Sequence, residues 1–249
     1  MTPYEQFKRD CEREVEAQGN DPALRRLSRD WINKANTHKY SYHFEWLGRP
    51  IIQYPHDVLA MQELIWQVQP DLIIETGIAH GGSVIFSASM LELNAACGGP
   101  PDAEVLGLDI DIRAHNRAAI EAHPMAKRLT MIQGSSVAPE IIALVRAKAA
   151  GKSRVLVSLD SNHTHAHVLA ELVAYAPLTT VGSYCSVFDT VVEDMPADMF
   201  PDRPWGPGDN PKTAVWEYLK SHPEFEIDRQ LEHKLLVTVA PDGYLKRVR

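Results

Sequence analysis

The sequence is short of cysteine, of dense basic runs and of long apolar runs, and each shortage removes a class of protein. Cys11, Cys97 and Cys185 are odd in number, far apart and without a C-x-x-C pair. A disulfide framework and a cysteine zinc site are therefore excluded, and a reducing, cytoplasmic setting is expected. Lys and Arg number 25 against 33 Asp and Glu, for a formal net charge of −8. A chain without a basic face is not expected to bind nucleic acid, and the ending Lys246-Arg247-Val248-Arg249 reads as a solvated tail. No stretch approaches a transmembrane span, and the polar start has no apolar signal core, so no membrane partner is expected. The G-x-G-x-x-G fingerprint of dinucleotide binders is also missing.

What is present is an alternation. After a charged, helix-prone segment over 4–35, in which Asp21 caps a second helix opened by Pro22, a proline-broken stretch leads to a helix with Asp57 as its cap. Apolar Val58, Met61, Leu64, Ile65 and Val68 share one of its faces. Short apolar strands then recur over 72–75, 105–109, 129–132, 155–160 and near 184–188, with helical segments between them. This order predicts a parallel sheet covered by helices on both faces. Leu235–Val239 is predicted to be a late strand pairing with Phe225-Glu226-Ile227 in an antiparallel edge. The long Pro-, Gly- and Asp-rich loop over 193–211 has the length of a lid.

The strongest local signal is Glu75-Thr76-Gly77-Ile78-Ala79-His80-Gly81-Gly82-Ser83, between the first strand and its helix. Ligands of open parallel sheets bind beyond the strand ends. Glycines there admit close backbone approach, and the helix start offers free N–H groups. The Glu-x-Gly-x-x-x-Gly spacing resembles the adenosylmethionine motif. Glu75 suits the ammonium of that cofactor, and the backbone of Gly77, Gly81, Gly82 and Ser83 suits its carboxylate. Asp109, with Asp111 as competitor, ends the second strand where an acid can take ribose hydroxyls. Ser135 and Ser136 after the third strand are placed to line adenine. The competing reading of each segment is a plain turn or helix cap.

Asp160 and Asp189 end the fourth and fifth strands and should face one crevice, a setting for Mg²⁺ held by two carboxylates. Asp160 also belongs to the cofactor set, and His163, one turn on, is placed to act as base on an alcohol. Two alternatives stay open. In the histidine-rich stretch His163, His165 and His167, the i, i+4 pair His163 and His167 could ligate zinc with Asp160 or Asp189 in a metallohydrolase, or the chain could be a cofactor-binding subunit without catalysis.

These segments together resemble the cephalosporin hydroxylase family, whose fold is that of adenosylmethionine-dependent methyltransferases. The resemblance covers roughly 40–240. It rests on Trp46-Leu47-Gly48, Pro55 with Asp57, Gln62-Glu63-Leu64-Ile65, Pro70 to Gly77, Gly81-Gly82-Ser83, Gly107 to Asp111, Leu159 to Thr164 and Pro204-Trp205-Gly206-Pro207-Gly208. It implies an α/β, Rossmann-like methyltransferase fold over 46–249, with a mostly parallel seven-stranded sheet, an antiparallel C-terminal strand and an N-terminal helical extension over 1–45. It also implies S-adenosyl-L-methionine as cofactor, a Mg²⁺ site and a homo-oligomer. The sequence is similar, more distantly, to macrolide-sugar O-methyltransferases, whose Asp-x-x-His element falls on Asp160 and His163. The family carries two adjacent acids after the fifth strand; here the pair reads Phe188-Asp189, which leaves three readings open: Asp189 suffices, Glu193 or Asp194 substitutes, or the enzyme works without metal. The reading is O-methyl transfer to a hydroxyl of a small molecule, with a sugar or natural-product acceptor favoured by analogy.

Overall fold

A computed structural model describes all of residues 1–249. Two N-terminal helices, α1 (Pro3–Gly19) and α2 (Pro22–Asn36), lead into a small hairpin of β1 (Phe44–Trp46) and β2 (Arg49–Ile51). Asp21 does cap α2, accepting from the backbone N–H groups of Ala23 and Leu24. Then follow α3 (Pro55–Val68), β3 (Leu72–Thr76), α4 (Gly82–Ala96), β4 (Glu104–Asp109), α5 (Ala114–Glu121), β5 (Leu129–Gln133), α6 (Pro139–Ala149), β6 (Val155–Leu159), α7 (His165–Tyr175) and β7 (Tyr184–Val187). The chain closes with α8 (Pro211–Leu219), β8 (Phe225–Ile227), α9 (Arg229–Leu235) and β9 (Tyr244–Arg247). No helix is long and apolar enough to cross a membrane.

The large sheet has seven strands in the order β5-β4-β3-β6-β7-β9-β8. The five strands from β5 to β7 run parallel, and β9 is antiparallel to both β7 and β8. Side chains alternate across the sheet: Ile73 packs into one apolar layer with α3 and α4, while Leu72 and Ile74 pack into the other with α6, α7 and α8. Each fully buried aliphatic side chain of this kind contributes roughly 1.5–3 kcal/mol. Chain order reverses between β3 and β6, so a crevice opens there beyond the strand ends.

Three expectations are corrected. Leu235–Val239 is not a strand; the partner of Phe225–Ile227 is Tyr244–Arg247. The reason is Asp57, whose carboxylate accepts the Val239 N–H (3.0 Å), a donor a ladder would need, and holds the segment through the Thr238 hydroxyl as well. Asp57 is accordingly not the cap of α3. Tyr54 holds that position, and Asp57 is buried against Thr238 and the Tyr244 hydroxyl at 2.7 Å. Lys246 and Arg247 are not a solvated tail either. They lie in β9, and Arg247 donates to the Pro177 carbonyl at 2.9 Å.

Candidate active site

The glycine turn sits at the reversal of strand order. Gly77 takes φ +89°, and a Cβ there would collide with the carbonyl of Asp160, so only glycine lets the ends of β3 and β6 come together. Gly77 N–H donates to the Leu108 carbonyl at 2.8 Å, and Asp160 N–H to the Thr76 carbonyl at 3.0 Å. Gly81, also at positive φ, caps α4, where a Cβ would strike Ile120. Gly82 packs against the backbone of Pro50 and Ile51. The first free N–H groups of α4 therefore face the crevice from a rigid mount.

Two adjoining clefts open over this turn. One, of about 250 Å³, is lined by Gly77, Gly82 and Ser83 of the turn and by Asp160, His163 and Asp189. The other, of about 360 Å³, continues past Gly77 to Asp109, Ser135 and Ser136. Asp160, Ser161, His163, Arg203 and Trp205 border both. The expected cofactor residues thus lie along one rim, with three exceptions. Glu75 lies beneath it, lining a separate small cavity. Asp111 is exposed beside Arg113 and lines neither cleft, and Gly81 acts from behind through its backbone.

Asp109 is engaged within the protein. One carboxylate oxygen accepts the N–H groups of Ile78 (2.9 Å) and Ala79 (3.1 Å), and the other accepts that of Asp111 (2.9 Å). It fixes the shape of the turn while one edge still borders the cleft. It does not cap α5, whose N-cap is Arg113. Ser136 takes part in a buried network. Its carbonyl accepts from the Tyr175 hydroxyl, and its Oγ lies 3.2 Å from His167 Nε2.

Glu75 lies under the turn, 3 % exposed, with its carboxylate accepting from Ser87 Oγ at 3.2 Å. Burial pushes its pKa up to about 7, against the opposing hydrogen bonds of Ser83 and Ser87. Its second oxygen has no partner in the protein, nor has Gln53 Oε1, and both residues line a cavity of about 30 Å³ beneath the cleft. That volume holds one or two water-sized groups.

Asp160, His163 and Asp189 converge, with one donor atom from each lying within 4.8 Å of the others. His163 Nε2 is 3.1 Å from Asp189 Oδ2. Gln53 Nε2 donates to Asp160 Oδ2 at 3.1 Å. Burial, then the charges of Asp189 and Glu75, hold Asp160 well above the ordinary carboxylate range. Asp189 adopts φ +56°, a conformation costly for a residue with a Cβ. The other two histidines go elsewhere: His165 meets Thr213 and Glu217, and His167 meets Ser136, Ser161 and Glu171. His167 thus does not join His163 beside Asp160 and Asp189, and the expected His163–His167 zinc pair is not formed.

The chain around Asp189 explains the missing second acid. Phe188 is buried in the core, edge-on to Tyr244. Glu193 accepts from Gly208 N–H at 2.7 Å and from Asn210, while Asp194 pairs with Lys212 at 2.6 Å. Neither substitute acid joins the cluster. Glu193 instead pins the 193–211 loop, which carries Trp205 edge-on over His163 with ring centroids 5.6 Å apart. Trp205, Arg203, Gln53 and Lys39 border the cleft without having been singled out in the sequence as site residues. Only Trp205 stood in a quoted motif.

A parallel sheet reversing at a Glu-x-Gly-x-x-x-Gly turn, with an acid after each neighbouring strand, defines a Rossmann-like methyltransferase. The profile of the family described as rhamnosyl O-methyltransferase/CmcI matches residues 38–248. A rhamnosyl O-methyltransferase of Mycobacterium tuberculosis is 32% identical over 197 residues, covering 77% of this chain and 73% of that one. That of Mycobacterium leprae is 31% identical over 205 residues, covering 81% and 82%. Among solved structures, CmcI with Mg and SAM superposes with a TM-score of 0.57 at 18% identity, covering 84% of this chain and 78% of that one. TomG, an O-methyltransferase of Streptomyces achromogenes in complex with SAM, gives 0.51 at 17% identity, with 84% and 80% covered; at such identities the likeness is one of fold. The chain belongs to the rhamnosyl O-methyltransferase/CmcI family, and it is an adenosylmethionine-dependent O-methyltransferase.

Proposed function

We propose that the protein methylates a hydroxyl of a sugar or sugar-bearing small molecule, with Mg²⁺ held by Asp160 and Asp189 and His163 as general base. The observation that carries this reading is the convergence of Asp160, His163 and Asp189 where the two clefts meet. The adenosine end of the cofactor fits the cleft of Asp109, Ser135 and Ser136. Its amino-acid end fits the turn of Gly77, Gly82 and Ser83, above Glu75. The acceptor then enters from the other side, under Trp205 and beside Tyr42 and Lys39.

The donor set suits a hard cation. Two carboxylates repel each other across the cluster, and Asp160 and Asp189 would hold a divalent ion that offsets that cost. Such an ion supplies a lowered pKa for a bound alcohol. His163, oriented by the contact of its Nε2 with Asp189, takes the hydroxyl proton at Nδ1, the ring nitrogen that Asp189 leaves free, and passes it to solvent through the open cleft. Backbone and side chains that hold donor and acceptor in line supply much of the remaining rate. The rhamnosyl acceptor in the relatives' names favours a sugar here. Incubation with adenosylmethionine, Mg²⁺ and a panel of rhamnosides and other glycosides, read by mass spectrometry, tests this. A methylated glycoside is expected, and methylation confined to non-sugar hydroxyls would overturn the acceptor assignment.

A further inference from the structure

A second groove, of about 480 Å³, lies behind the acceptor cleft and shares only Val191 with it. Arg25, Arg29 and Asn33 on α2 form one wall, Arg229 and His233 on α9 another, and Lys212 at the start of α8 the floor. Nothing in the proposed reaction uses it.

The inner part of the groove is satisfied within the protein. Lys212, only 6 % exposed, pairs with Asp194 at 2.6 Å. Arg229 pairs with Asp242 and with Glu232 at 2.9 Å, and Asp242 also accepts from Trp216 Nε1 at 2.8 Å. All three acids of the groove are thus committed to Lys212 and Arg229. Arg25 and Arg29 stand apart, exposed and without an ion-pair partner. They are spaced i, i+4 on the groove side of α2, so the two cations repel one another. In a chain of net charge −8, two unpaired arginines on the groove side of one helix form a local positive field.

We propose that this groove is a binding site for a small multivalent oxyanion, a phosphate- or carboxylate-bearing metabolite gripped between Arg25 and Arg29. Guanidinium groups match such anions through paired N–H donors. The bound anion relieves the repulsion along α2. Its site is separate from the clefts assigned to cofactor and acceptor.

Calorimetry on the full chain, saturated with adenosylhomocysteine and free of divalent metal, tests this with pyrophosphate and citrate as probes. Chloride at matched ionic strength is the control. Saturable binding of at least one probe is expected, weakened about tenfold or more in Arg25→Gln/Arg29→Gln. The identity of the preferred probe separates a phosphate ligand from a carboxylate one. Because both arginines are exposed, the variant should keep the wild-type circular dichroism and adenosylhomocysteine affinity; if it does not, a crystal structure with pyrophosphate takes its place, and density between Arg25 and Arg29 is expected. No saturable binding of either probe, unchanged affinity in the folded variant, or pyrophosphate located only in the other clefts would overturn the site. Failure of adenosylhomocysteine to bind would instead count against the methyltransferase reading alone.

Discussion

His163 Nε2 stands 3.1 Å from Asp189 Oδ2, joining the segment after β6 to the end of β7. The pair holds the imidazole over the point where the two clefts meet, with Trp205 edge-on beside it. If His163 is the base, His163→Ala should lower turnover by about 10²–10⁴-fold while adenosylhomocysteine and Mg²⁺ affinities stay within about twofold. Added imidazole should restore part of the rate. A variant that loses Mg²⁺ affinity in parallel with turnover would make His163 a ligand instead.

Metal dependence follows from the carboxylates. Removal of divalent ions by a chelator should abolish turnover, and Mg²⁺ should restore it. Asp189→Asn is expected to weaken Mg²⁺ about 10–100-fold and to leave the folded state intact. Full activity in the presence of chelator would remove the metal from the mechanism.

Glu75 makes the site pH-sensitive before any ligand binds. Its pKa rises from 4.5 to about 7 because burial penalises the charged form. An acid raised on folding favours the native state while protonated in it. That contribution is complete below about pH 4.5 and is lost as pH climbs to about 7. At roughly 1.4 kcal/mol per pH unit the loss is at most about 3 kcal/mol. Chemical denaturation of the ligand-free protein should show wild type falling relative to Glu75→Gln between pH 5 and 8. A wild-type protein that gains stability relative to the variant over that range would refute this account of Glu75.

The 193–211 loop is held by Glu193, and by Asp209, which accepts from His165 N–H at 2.7 Å. Glu193→Ala removes the acceptor for Gly208 N–H and the Asn210 side chain, loosening the loop that carries Trp205. The acceptor KM should rise about tenfold with adenosylhomocysteine affinity unchanged. Equal losses in cofactor and acceptor binding would mean that the loop supports the whole crevice.

The sheet was legible because its buried parallel strands are continuous apolar runs and its glycine turn has a fixed spacing. Asp109, Asp160 and Asp189 could be placed at strand ends by chain order alone. Contacts between distant segments could not. Gln53 reaches Asp160 across 107 positions, and Asp57 reaches Thr238 and Tyr244 across 181 and 187. Leu235–Val239 has the composition of a strand, yet the buried Asp57 claims its backbone donor. Phe188 reads in sequence as a lost ligand; in the fold it is core, and its neighbour Asp189 alone turns into the crevice.

The most direct test is calorimetric titration of adenosylhomocysteine into the wild-type protein and into Gly77→Ala, with NAD as a contrast. Wild type should bind one adenosylhomocysteine per chain and no NAD. Gly77→Ala should bind neither, because the new Cβ meets the Asp160 carbonyl at a positive φ. NAD binding without adenosylhomocysteine binding, or undiminished adenosylhomocysteine affinity in Gly77→Ala, would contradict the assignment of this crevice.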